Sequence, residues 1–215
     1  KEVETFGLGR TAHALAKHHQ AVETLMGLGD DPVRMDGRII REAPYLAEVH
    51  RTQDTLSLAG YHIVKSLVAL YADRPEVVVE SIRNGRRASS SAVFFHDQLM
   101  GSFLIGVATY RCGDRVAGDA ALRRLRGLAR DVPETNLHRL DIVLGERAAG
   151  AGRYRRAAGR FRRAARRALA REALHEAAYA SERLGDVTHD VRWWHQAESL
   201  YRLWGGAHAS HRVQE

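Results

Sequence analysis

The chain has 215 residues, 45% hydrophobic and 27% charged, which suits one large or two small globular domains and excludes wholesale disorder. Its one cysteine, Cys112, excludes a disulfide framework and a four-cysteine zinc site, and points to a reducing, cytoplasmic compartment. The net charge is +7, and the longest apolar run, Leu99 to Tyr110, is broken by Gly101, Ser102 and Gly106, well short of the roughly 20 residues that span a bilayer.

No basic-then-apolar leader opens the chain, and its start at Lys1 points to a piece of a longer protein. Gly7-Leu8-Gly9-Arg10-Thr11-Ala12 has the form of a dinucleotide fingerprint, but only Val3 to Phe6 precedes it and no second strand follows. These glycines read better as the start of a helix over about 9–27. A loop-like stretch from Gly29 to Pro44 holds Asp30, Asp31, Pro32 and Gly37, and sets residues 1–48, an N-terminal helix and loop, apart from a main array over 49–215.

Apolar residues at spacings of three and four then predict helices over about 49–72, 75–87, 92–112, 115–131, 135–150, 153–169, 172–184, 187–204 and 207–214. The segment from Gly60 to Lys65-Ser66 resembles a phosphate loop, but Val64 replaces the glycine before the lysine and the surroundings read as continuous helix. Ser89 to Ser91 marks a loop, with Ser90 or Ser91 as a helix cap. Phe95-His96-Asp97 lacks the arginine and proline of a phospho-acceptor helix. Cys112, before the turn at Gly113, reads as a buried small hydrophobe. His138-Arg139-Leu140-Asp141 permutes a kinase catalytic loop but has no downstream Asp-Phe-Gly. Glu172/His175 and Asp186/His189 each put a carboxylate and an imidazole on one predicted helical face, without the further carboxylates a bridged metal site needs. No catalytic, cofactor-binding or metal-binding set emerges.

Repeats carry more information. Gly145 lies in one helix, Gly152-Arg153 makes a tight turn, and Tyr154, Ala157, Ala158, Phe161, Ala164, Ala165 and Ala168 form the apolar stripe of the next. Small residues at the crossing let two helix axes approach closely. Gly185-Asp186-Val187 reads as the same turn 33 residues on, with Trp194 in place of Phe161 and Ala197 in place of Ala164. Gly113-Asp114-Arg115 and Asp73-Arg74-Pro75 read as earlier copies, 39 and a further 40 residues back. The expected fold is all-α, a tetratricopeptide-like helical-hairpin solenoid.

Arginine is concentrated in this array. Residues 115–171 hold 16 arginines against Asp119, Asp131, Glu134, Asp141 and Glu146, an excess of +11 that leaves −4 for the remainder. The helix over 153–171 has nine arginines and no acid. Arg155, Arg156, Arg162, Arg163, Arg166 and Arg167 fall opposite the apolar stripe and form a candidate basic interaction face for acidic side chains or phosphates. Without interleaved exposed aromatics the face reads as a solvated surface before it reads as a nucleic-acid site.

Asn136-Leu137-His138, the Tyr154/Phe161 repeat, His175-Glu176-Ala177, and Ala197-Glu198, Leu200-Tyr201 and Trp204-Gly205 together resemble the helical region of large bacterial multidomain signalling proteins. Phe94-Phe95 and Tyr110 extend the resemblance back to about His50. In that family a serine/threonine kinase-like domain and an AAA-type ATPase precede the region, and sensor and histidine-kinase domains follow it. The resemblance implies an interaction array that senses a protein partner or neighbouring domains and couples it to ATPase or kinase activity elsewhere in the parent chain, with no catalytic residue of its own. Two alternatives stand beside it: the similar helical arm of an ATP-dependent transcriptional regulator, and a nucleic-acid-binding module that uses the Arg153–Arg171 face.

Overall fold

Apolar periodicity and helix caps dominate the chain, and the computed structural model, which describes residues 9–88 and 95–214, is built accordingly. Among the described residues every regular element is helical: α1 (Gly9–Leu25), α2 (Glu42–Arg51), α3 (Thr55–Tyr71), α4 (Pro75–Ala88), α5 (Phe95–Arg111), α6 (Arg115–Asp131), α7 (Pro133–Ala149), α8 (Tyr154–Leu169), α9 (Leu174–Thr188), α10 (Val191–Trp204) and α11 (Ala207–Gln214). None of these helices is long and apolar enough to cross a membrane. The chain divides into two compact units, Lys1–Gln98 and Leu99–Glu215. Gly7, Leu8, Phe94 and the Ser89–Ser91 loop lie outside the described residues, as does the side chain of His96.

Helix starts follow from side-chain acceptors that satisfy the orphan amides of a first turn. Ser57 N donates to Asp54 at 3.0 Å, Ala117 N to Asp114 at 3.0 Å and Arg192 N to Asp190 at 3.1 Å. Pro75 and Pro133 open α4 and α7, where a missing N–H costs nothing. Several helix ends close through one left-handed residue, after which the chain's next amide reaches back over a full turn. Arg74 N to Ala69 O, Asp114 N to Thr109 O, Arg153 N to Ala148 O and Ala173 N to Ala168 O are bonds of this kind. Glycine serves at Gly113 and Gly152, with φ of 80° and 68°, but Gln53, Asp73, Glu172 and His189 do the same work with φ of 52°, 60°, 57° and 53°.

Those non-glycine turns move several predicted boundaries. The helix expected over 49–72 is two helices, α2 and α3, parted at Gln53 and restarted by the Asp54 cap. The turn expected at Gly185 falls at His189, and Gly185 lies inside α9. Glu172 is in the turn before α9, so Glu172 and His175 do not share a helical face. Cys112 is exposed rather than buried, because α5 ends at Arg111 and Cys112 belongs to the turn.

In the first unit α1, α2 and α4 each pack on α3. Tyr61 and Val68 of α3, Val49 of α2 and Met35 of the 26–41 segment are almost fully buried there. In the second unit α7 packs on α6 and α8, α8 on α9, α9 on α10 and α10 on α11, while α9 also touches α7. A glycine on one helix receives a ring from its neighbour at two of these crossings, and again between α5 and α6. A Cβ on Gly118 would lie 2.8 Å from Tyr110, one on Gly145 2.5 Å from Phe161, and one on Gly185 2.5 Å from Trp194. Such separations are open only to glycine, and they draw the helix axes together.

Candidate functional site

Helix α8 carries the stripe and the arginine face at once. Ala157, Ala158, Phe161, Ala164, Ala165 and Ala168 are buried. Tyr154, expected in that stripe, is the first residue of α8 and is 58% exposed. On α10, Ala197 is buried, and Trp194 donates its indole N–H to Asp186 at 2.9 Å.

The six arginines of the predicted face do not form one solvated surface. Arg155, Arg156, Arg162, Arg166 and Arg167 are exposed and Arg163 is half-buried. Arg163 and Arg167 turn back onto Asp141 of α7, at 3.1 and 2.5 Å, and Arg160 joins them at 2.8 Å. The Asp141 side chain is 3% exposed, so three guanidinium groups neutralise one carboxylate that water barely reaches. Arg162 lies over the ring of Trp193, 5.7 Å from its centroid.

A second group of arginines surrounds an open space of about 190 Å³ where α6, α7 and α8 meet. Arg115 comes from the first residue of α6, Arg147 from the last turn of α7, Arg153 and Arg156 from the cap and first turn of α8, and Arg160 from its middle. Leu144, Ala148 and Ala151 supply an apolar wall, and no acidic side chain lines the space. Arg147 is held by Asp119 at 3.0 Å and Arg160 by Asp141. Arg115, Arg153 and Arg156 have no ion pair among the described residues. Asp119 stays ionised: the Tyr110 hydroxyl donates to it, and Arg147, Arg115 and Arg123 hold its carboxyl below the usual range. The concave surface can hold an anion through guanidinium forks, but it contains no nucleophile or base.

Buried ion pairs also tie α7 to α9. His138 and Arg139 both contact Glu176, Arg139 at 2.6 Å. Burial alone would raise the Glu176 carboxyl, but His138 and Arg139 outweigh it and bring the group down to about 2. Glu146 accepts from the Tyr179 hydroxyl at 2.8 Å and from Arg183 at 2.7 Å, and the paired carboxylates hold the Arg183 guanidinium well above its ordinary value against the opposing effect of burial. His138 and Asp141 are thus structural members of α7.

The first unit has a wider depression of about 550 Å³, lined in part by Glu42, Tyr61, His62 and Lys65. Lys65 sits inside α3 and pairs with Glu42, so no loop of free amides surrounds it. Its positive charge is spent within the depression. Among the described residues no three histidine, cysteine, aspartate or glutamate side chains gather as metal ligands.

Sequence reasoning placed Arg153, Arg156 and Arg160 together in the arginine helix but missed Arg115 and Arg147 as their neighbours. The usable signal was the +11 excess spread over residues 115–171, which exceeds what the carboxylates of that stretch can neutralise. Comparison with protein-family models, curated proteins and solved structures finds no match to this chain.

Proposed function

We propose that the chain is a cytoplasmic interaction array of tetratricopeptide-like helical hairpins, a regulatory part of a signalling protein that couples a bound protein or neighbouring domain to ATPase or kinase activity elsewhere in the parent chain. The observation that carries this reading is the way α7, α8, α9 and α10 pack in order. Each helix packs on the next, a glycine of one helix takes an aromatic of its partner, and α7 and α9 touch across the intervening helix. That arrangement is what a stacked repeat requires, since one pair cannot bury its own apolar face. The arginines of α8 that no carboxylate neutralises give the array a surface suited to acidic protein segments.

The test is binding of the chain to the neighbouring domains of its parent, measured by calorimetry. Charge reversal at the exposed Arg155, Arg162 and Arg166 should weaken that binding at least about tenfold while the thermal melt stays unchanged. Binding indifferent to the reversal, or no binding to any neighbouring domain, would refute the reading.

A further inference from the structure

The space between α6, α7 and α8 gathers five arginines around about 190 Å³ and offers them no acid of its own. Two of the five are engaged from outside it, Arg147 by Asp119 and Arg160 by Asp141. Arg115 feels Asp119 only at longer range, without an ion pair, and Arg153 and Arg156 have no ion pair among the described residues. Like charges held this close repel one another, so a structure that gathers them is stabilised by whatever anion enters. We propose that this pocket is a binding site for a phosphoryl group that carries two or more negative charges.

Charge, shape and size select that chemistry. A carboxylate presents one charge and two oxygens, whereas a phosphoryl group presents three acceptor oxygens to three unpaired guanidinium forks. The volume lies below the roughly 300–1,000 Å³ of sites that enclose whole small molecules, so the pocket suits a charged head rather than a complete nucleotide. The Leu144, Ala148 and Ala151 wall excludes water from one side, which strengthens each ion pair. Helix α8 adds to this. Its N-cap, Arg153, gives no side-chain acceptor and its first turn holds no acid, so the positive end of the helix is left for a ligand at a turn whose Arg153 and Arg156 already line the pocket. The neighbouring start of α6 is closed by Asp114 and makes no such offer.

The phosphoryl group can be free in a small anion or carried on a side chain of a partner protein. Only the second source rests on the proposed interaction array; the pocket's affinity for the group does not. The experiment titrates the full chain by calorimetry with pyrophosphate, and separately with a phosphoserine peptide and its unphosphorylated form, at about 50 and 200 mM salt. The variant Arg153→Gln/Arg156→Gln removes two pocket charges. Arg124→Gln/Arg130→Gln removes the same charge from exposed positions of α6 outside the pocket.

Pyrophosphate should bind one to one, and the pocket variant should weaken it at least about tenfold, against less than about threefold for the outside variant. Amide shifts should centre on Ala148, Ala151, Arg153 and Arg156. A phosphopeptide that binds more tightly than pyrophosphate, with the same dependence on Arg153 and Arg156, assigns the group to a partner protein. Pyrophosphate binding alone assigns it to a small anion and leaves the pocket standing. Equal loss in both variants, shifts spread along every exposed arginine, or equal binding of any duplex DNA with a steep salt dependence would show diffuse polyanion attraction and overturn the proposal, leaving the interaction array to its own test.

Discussion

Gly145→Ala should destabilise the second unit although alanine is the better helix former. In an open helix the exchange is worth about 1 kcal/mol in favour of alanine. Gly145, however, faces Phe161, and the new Cβ would lie 2.5 Å from Cε1 and 2.8 Å from both Cδ1 and Cζ. Phe161 is fully buried and rigid, so it cannot swing aside as a flexible chain would. Overpacking of this kind costs about 1–3 kcal/mol, and three overlapping ring atoms put it at the upper end, for a net loss of about 2 kcal/mol. Gly159 supplies the control: it sits within the same helix pair, and nothing lies within 4 Å of its added Cβ, so Gly159→Ala should stabilise by about 0.5–1 kcal/mol. Phe161→Ala alone should cost about 3–5 kcal/mol. In that background the Gly145→Ala methyl enters vacated space and should become neutral or favourable, a coupling of about 2–3 kcal/mol. Trp193, Trp194 and Trp204 all lie in the second unit, so urea unfolding followed by tryptophan fluorescence reports on it alone. Gly145→Ala as stabilising as Gly159→Ala, or zero coupling to Phe161, would refute the crossing geometry.

Glu176 has its carboxyl lowered from 4.5 to about 2, so it contributes stability that is complete above pH 4.5 and lost as pH falls toward 2. The second unit should lose about 3 kcal/mol from this group over that window, and Glu176→Gln should flatten the acid limb of its stability profile; an unchanged limb would refute the assignment. Burial, with Lys65 and His50 adding, pushes the His62 imidazole from 6.5 down to about 4, so the neutral form is favoured in the folded chain. The first unit should therefore weaken as pH falls from 6.5 to 4, and the His62 ring protons should titrate with a midpoint near 4 in NMR spectra rather than near 6.5. Single Arg→Gln changes at Arg160, Arg163 or Arg167 should each cost less than about 1 kcal/mol, since these side chains are partly exposed and two partners remain for Asp141. The triple change strands a buried carboxylate and should cost about 3–5 kcal/mol; strict additivity of the three would show that they do not share one site.

The helical class was legible because apolar spacing and caps act locally, within one or two turns of the chain. Turn positions were less so, and the reason is specific. Glycine marks a left-handed residue when it stands at a helix end, as at Gly113 and Gly152. Gln53, Glu172 and His189 adopt the same conformation with side chains that carry no such signal. Gly185 is conspicuous in sequence for the opposite reason, since it vacates space for Trp194 inside a helix. A glycine at a turn and a glycine at a crossing look alike until the partner ring is placed. Gly152 therefore corresponds to His189, and Gly145 to Gly185.

The arginine-rich stretch shows a related limit. A run of like charge specifies repulsion, but its function depends on which charges folding consumes, and the carboxylates that consume them lie up to 37 residues away along the chain. Asp141 takes three arginines of α8, Glu176 takes Arg139, Glu146 takes Arg183, and Asp119 takes Arg147. Asp141 of α7 thus draws the arginines of α8's middle and end inward, and Glu146 and Glu176 tie α7 to α9 in the same way. The start of α8 lies beyond the reach of Asp141. Arg153 and Arg156 there meet Arg115 and Arg147 instead of an acid. Subtracting the paired arginines leaves Arg153 and Arg156 at one concave end, where a ligand can be enclosed, and Arg155, Arg162 and Arg166 exposed along the rest of α8. The distribution of acids, more than that of arginines, sets the location of the candidate site.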